Sequence, residues 1–208
     1  MTSTHILHPI WMAIAGLILT ACAGTPSPPS SPPTYQGVAP DIEREGLITH
    51  TTTAIFNAPI LDARKWLDEE DRFLAAMEET DEIKKPIDTV YLHGEWPSEG
   101  AVRRVELSDG NYVLERVVEN GYPTYFSYQI WNFTAPAGKH LDYALGEMVW
   151  NELPSDQSEL VWSYSVRPNA GFKRPFVRRF VNRNVQPFMN NALSKIEDQG
   201  EARFPKLK

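Results

Sequence analysis

The chain has 208 residues, 20 Lys and Arg against 27 Asp and Glu, a formal charge of −7 and one cysteine. That length suits one domain with a tail rather than two full domains. The acidic balance argues against general nucleic-acid binding, and a lone cysteine excludes an internal disulfide or a cysteine-rich zinc site.

The first element is the apolar run from Ile10 to Leu19, too short to span a bilayer and of the right length for the core of a cleaved secretory peptide. It ends in Leu19-Thr20-Ala21-Cys22, which resembles the lipobox of a bacterial lipoprotein. That resemblance implies diacylglyceryl transfer to the Cys22 thiol and cleavage after Ala21. The bland alternative is an unmodified cysteine after an N-terminal helix. Residues 1–21 are therefore expected to be a signal peptide. Residues 22–40, rich in Pro and Ser, are expected to be a spacer with too little apolar content for a core. The domain proper is expected over 41–208. Ala23, rather than Asp, after the cysteine favours the periplasmic side of an outer membrane in a cell with two membranes.

Leu47 to Phe56, rich in Thr and Ile, predicts a strand, with Asn57 placed to cap a helix that starts near Pro59. Ile60 to Leu67 predicts one short helix and Glu69 to Thr80 a second, with Pro86 ending the helical stretch. Strands follow at Asp88–Trp96, Ala101–Leu107, Tyr112–Glu119, Tyr125–Phe133, Leu141–Leu153 and Leu160–Arg167, separated by short Gly, Pro, Asn and Asp breaks that imply antiparallel neighbours. Arg174 to Glu201 predicts a long helix with a wide apolar stripe, kinked or split near Asn184 because Pro187 removes a hydrogen bond.

One hairpin decides which charges share a face. A two-residue turn at Asp109-Gly110 sets Arg104 opposite Glu115, whereas a three-residue turn with Gly110 left-handed sets Arg103 opposite Glu115. The second is favoured because it groups Val105, Leu107, Val113 and Val117 with the pair.

The motifs Phe56-Asn57-Ala58-Pro59, Gly100 to Leu107, Leu114-Glu115-Arg116-Val117 and Phe126-Ser127-Tyr128, in this order, resemble the START-like superfamily of the polyketide cyclase/dehydrase and lipid-transport type. The resemblance spans about Leu47 to Gln199. It implies an α+β helix-grip fold: a curved seven-stranded antiparallel sheet wrapped around a long C-terminal helix, two short helices after strand 1, and a cavity between sheet and helix. It also points Glu115 into the cup. Shared fold does not fix chemistry, because binders, transfer proteins and enzymes use this scaffold.

On that basis Arg103 and Glu115 are candidates for a polar anchor, a plain structural cross-strand bridge being the alternative. Phe126, Tyr128 and Tyr143 are candidate walls, and Phe180, Phe188 and Met189 the helix side. Glu147 is a second acidic candidate, against which stands a solvated outer-face charge. Trp131, Phe133, Trp150, Trp162 and Tyr164 add to an aromatic-rich set of central strands, most of which is expected to be core.

His50, His93 and His140 match no metal site or triad by spacing, and His93 is the best placed as a general base. No cofactor or metal is implied. The basic run Lys173, Arg174, Arg178, Arg179 and Arg183 sits in a stretch from Lys173 to Lys195 without a single acid. It suits anionic headgroups, a protein partner, or the chain's own acidic segment between Asp62 and Glu82. The leading expectation is a lipid-tethered protein that binds a hydrophobic ligand, a lipid or lipid-like metabolite. The alternatives are a cyclase- or hydratase-like enzyme using Glu115, Glu147 or His93, and an interaction module using the basic face of the last helix.

Overall fold

A computed structural model describes residues 38–69 and 72–206, so the expected signal peptide, Cys22 and most of the expected spacer lie outside the described residues. Alternating polar and apolar segments form seven strands: β1 (Ile48–Phe56), β2 (Pro86–His93), β3 (Val102–Leu107), β4 (Tyr112–Gly121), β5 (Tyr125–Trp131), β6 (Leu141–Leu153) and β7 (Gln157–Pro168). They make one antiparallel sheet in the order β1-β7-β6-β5-β4-β3-β2. The connection from β1 to β2 carries α1 (Ile60–Asp68) and α2 (Arg72–Ala76), which takes the chain from one sheet edge to the other.

Pro59 starts α1, its φ of −57° already suited to the first turn. Asn57 does not cap that helix, contrary to the sequence expectation. Its amide instead donates to the Phe204 carbonyl at 3.2 Å and accepts from Gln157 at 2.7 Å, tying the end of β1 to the C-terminus and to β7. The second helix is also shorter than expected. Past Ala76 the backbone has other partners: Thr80 N–H donates to the Ile83 carbonyl at 2.8 Å, and Glu82 N–H donates to Asn184 Oδ1 at 3.0 Å. These bonds close a loop where a helix would need its own ladder.

The C-terminal helix divides where Pro187 requires it to. α3 (Arg174–Phe180) passes through a π-helical stretch, Val181–Val185, into α4 (Gln186–Arg203), with Pro187 in the first turn of α4. The wider turn brings Asn184 inward, 2 % exposed, where its side chain holds the Thr80–Glu82 loop.

The sheet has a core on each side. On the concave face Phe56, Trp66, Trp150, Leu160 and Trp162 pack against Val177, Val181, Val185, Met189, Leu193 and Ile196 of the helix. On the convex face Val102, Tyr112, Leu114, Trp131, Tyr143 and Leu145 lie beneath Ala39, Ile42 and Leu47. The strap before β1 is fixed by Gln129 donating to the Pro40 carbonyl at 3.0 Å and by the Tyr143 hydroxyl, which bonds the backbone of Glu43 twice at 2.7 Å. Packing thus begins by Ala39, slightly ahead of residue 41.

Candidate ligand-binding cavity

Strand alternation decides which side chains reach the cup. Arg103, Val105 and Leu107 from β3, Val113 and Glu115 from β4, and Phe126, Tyr128 and Ile130 from β5 point into one cavity, with Ala144 and Met148 from β6 and Trp162, Tyr164 and Val166 from β7. Phe73, Leu74, Met77 and Ile83 close it from the segment after α1, and Phe180, Val185, Phe188 and Met189 close it from the helix. The space between sheet and helix, counted with the solvent at its mouth, comes to about 1130 Å³. The lining is almost wholly apolar.

The hairpin after β3 turns through Ser108-Asp109-Gly110, with Gly110 at φ 82°, and Arg103 pairs with Glu115. Their Nε and Oε2 atoms are 2.5 Å apart, and the two side chains are 8 % and 7 % exposed. The Arg103 guanidinium also lies 3.8 Å from the centre of the Trp96 ring, so its flat face is covered by an aromatic while its edge meets the carboxylate.

Beside this pair sit two phenols. Tyr128 and Tyr164 are the cross-strand neighbours of Gly146 on its two sides, and the missing side chain at Gly146 lets the Tyr128 ring fold over the strand. Tyr128 accepts a hydrogen bond from Trp162 Nε1 at 3.1 Å. The Tyr164 hydroxyl has no hydrogen-bond partner among the described residues. Burial first, then the negative charge of Glu115, holds both hydroxyls above the ordinary tyrosine range, that of Tyr128 well above it. The polar end of the cavity thus offers one carboxylate, one guanidinium already engaged, and two neutral O–H groups.

A pH dependence follows. Below about pH 10 both tyrosines are protonated folded or unfolded, and their contribution to stability is intact. As pH rises past that value the unfolded chain releases two protons that the folded chain retains, so stability falls. An alkaline titration read by tyrosinate absorbance should show two ionisations that appear only with unfolding and that vanish in the Tyr128→Phe/Tyr164→Phe variant. Complete tyrosine ionisation in a still-folded protein would contradict this.

Of the residues picked out by sequence, Arg103, Glu115, Phe126, Tyr128, Phe180, Phe188 and Met189 meet at the cavity. Tyr143 and Glu147 do not. Both are out of phase with the cup-facing Ala144 and Met148 of β6, so they emerge on the convex face. There Tyr143 anchors the strap, while Glu147 pairs with Arg44 at 2.9 Å and accepts from the Tyr125 hydroxyl at 3.0 Å. Tyr164, Trp96 and the 73–83 wall were not chosen from the sequence. Tyr164 alternates in step with Trp162 and Val166, a period that could have identified it; Trp96 and the wall come from loop geometry that leaves no such signal.

The nominated acid–base set does not assemble: Glu115 faces the cavity, Glu147 the opposite side of the sheet, and His93 is exposed at the end of edge strand β2. His50 bonds Asn190 at 2.9 Å, and His140 stacks on Phe176 at 5.8 Å. Among the described residues no group of three His, Cys, Asp or Glu is placed to hold a metal. In the basic run, Lys173 donates to the Lys139 carbonyl at 3.2 Å and Arg174 to the Gly46 carbonyl, while Arg178, Arg179 and Arg183 are exposed without an ion-pair partner among the described residues. Among the described residues the acidic segment is not their partner; its Glu78 pairs with Lys195 at 3.0 Å, which lowers the Glu78 pKa.

No family model matches the sequence, and no curated protein does. Solved structures do match in shape. Ara h 8.0201 is 13 % identical, with 76 % of this chain and 99 % of that one covered at a TM-score of 0.53. The Zhui aromatase/cyclase from Streptomyces sp. R1128 is 16 % identical, with 76 % and 95 % covered at 0.55. TTHA0849 from Thermus thermophilus is 11 % identical, with 75 % and 99 % covered at 0.54. Sheet order, helix placement and these likenesses agree that the chain has the helix-grip fold.

Proposed function

We propose that this protein binds a hydrophobic ligand, a lipid or lipid-like metabolite, between the concave sheet and the C-terminal helix, and that it does so tethered to a membrane through Cys22. The single observation that carries the binding reading is an apolar cavity between sheet and helix whose only buried ion pair, among the described residues, is Arg103 with Glu115. Apolar walls that face such a space are covered favourably by an apolar ligand.

The polar end selects the ligand's head. Because the Arg103 charge is matched by Glu115, a net-charged headgroup would leave one charge uncompensated in an apolar site. A neutral hydroxyl or carbonyl suits it better, accepting from Tyr164 or donating to Glu115. Binding rather than turnover is favoured because the candidate bases stand apart, although an aromatase/cyclase shares the fold.

The tether rests on sequence alone: the apolar run, the Leu19 to Cys22 motif and the Pro/Ser-rich stretch after it. An outer-membrane, periplasm-facing location belongs to the same reading. Native mass spectrometry of the full chain, followed by solvent extraction, tests the ligand. A stoichiometric adduct that extracts into organic solvent is expected, and a bare protein mass that no added lipid or apolar metabolite shifts would refute binding.

A further inference from the structure

We infer that the start of the C-terminal helix is a docking face for an anionic lipid bilayer, set at the cavity's exit so that ligand passes between membrane and pocket. The purpose rests on the proposed ligand binding; the geometry stands without it. Phe172 and Phe176 are 78 % and 62 % exposed, an unusual position for two large aromatics one helical turn apart. Arg179 and Arg183 continue the same face at three- and four-residue spacing, and Arg178 flanks it.

These arginines have no ion-pair partner among the described residues, and no acid occurs from Lys173 to Lys195 although the chain carries −7 overall. The last helix thus carries these charges without acids of its own in that stretch, which favours its approach to a negative surface. Rings that enter the headgroup boundary beside arginines that meet phosphates are the arrangement of an interfacial helix. Rings and arginines would also suit an acidic protein surface; the bilayer is favoured because the Ile10–Leu19 run and the Leu19–Cys22 motif, on the proposed tether, hold the domain beside one.

The face also adjoins the pocket. A second hollow, bordered by Phe176, Arg179 and His140, shares Glu82, Leu141 and Phe180 with the main cavity. The proposed docking face therefore lies beside the pocket, with Phe180 between the two hollows.

The full chain, with Cys22→Ser to remove its only thiol, carries a single environment-sensitive fluorophore at Phe176→Cys and is mixed with phosphatidylcholine vesicles with or without phosphatidylglycerol. A control label at Asn151→Cys sits about 30 Å away along β6. We expect a blue-shifted, brighter signal at position 176 with anionic vesicles only, weakened by salt, and silence at position 151. The Arg178→Gln/Arg179→Gln/Arg183→Gln variant should bind anionic vesicles on the order of 100-fold more weakly, roughly five-fold per arginine. All these sites are exposed, so folding is not at stake.

Equal responses at position 176 with both vesicle types would show that the arginines select no anionic surface and would overturn the docking face. No response at position 176 would overturn it too, leaving the basic face to an acidic protein partner. Neither result would touch ligand binding, which is read separately by mass.

Discussion

Replacing Arg103 by methionine is expected to destabilise the protein by about 3–5 kcal/mol, because it strands a buried carboxylate. Glu115 is 5 % exposed, and its closest cation is the Arg103 guanidinium at 2.5 Å. Removing both charges in Arg103→Met/Glu115→Leu should recover most of the loss, since the desolvation cost of the carboxylate goes with it. Urea denaturation of the wild type, both single variants and the double variant gives the coupling directly. A double variant whose loss is the sum of the two single losses would show that the two side chains do not act as a pair. If the double variant is stable yet no longer takes ligand, the pair serves recognition; if binding survives, it is a structural bridge.

Gly146→Ala is expected to cost about 1–3 kcal/mol by overpacking. A Cβ at this position would lie 2.0 Å from Tyr128 Cζ and 2.4 Å from its hydroxyl oxygen, and that ring is bonded to Trp162. The methyl must push the ring into the cavity, break the Trp162 bond, or both. A lower thermal midpoint with altered tryptophan fluorescence is the predicted readout. Gly171→Ala, where nothing lies within 4 Å, is the matched control and should be nearly neutral. An unchanged Gly146→Ala protein would mean that Tyr128 does not cover the strand.

These two expectations depend on features of unequal visibility in the sequence. The strands, their order and the split helix were legible, because alternation, turn residues and Pro187 act locally. The Arg103–Glu115 pair was legible as well, because the length of one glycine-containing turn fixes its register. Tyr143 and Glu147 misled because the β6 sequence is apolar on both faces, a consequence of the strap that covers the convex side. Without knowledge of that cover, residues on either face look like cavity walls. Asn57 and the short α2 turned on bonds to Phe204 and Asn184, both more than a hundred residues away, which no local pattern encodes. The docking face was half visible: the arginines stand out in sequence, but the exposure of Phe172 and Phe176 required the fold.

If the cavity exists to be filled by an apolar molecule, narrowing it must cost the protein its ligand and not its fold. Ile130 is half-buried at the cavity wall, and a larger ring there grows into open space rather than into packed core. Native mass spectrometry of the full chain beside an Ile130→Trp variant reads the outcome. An extractable adduct is expected on the wild type and its loss in a variant of equal or greater stability. An adduct retained at the same occupancy by Ile130→Trp, or none on either protein after exposure to lipid, would refute the cavity as a ligand site.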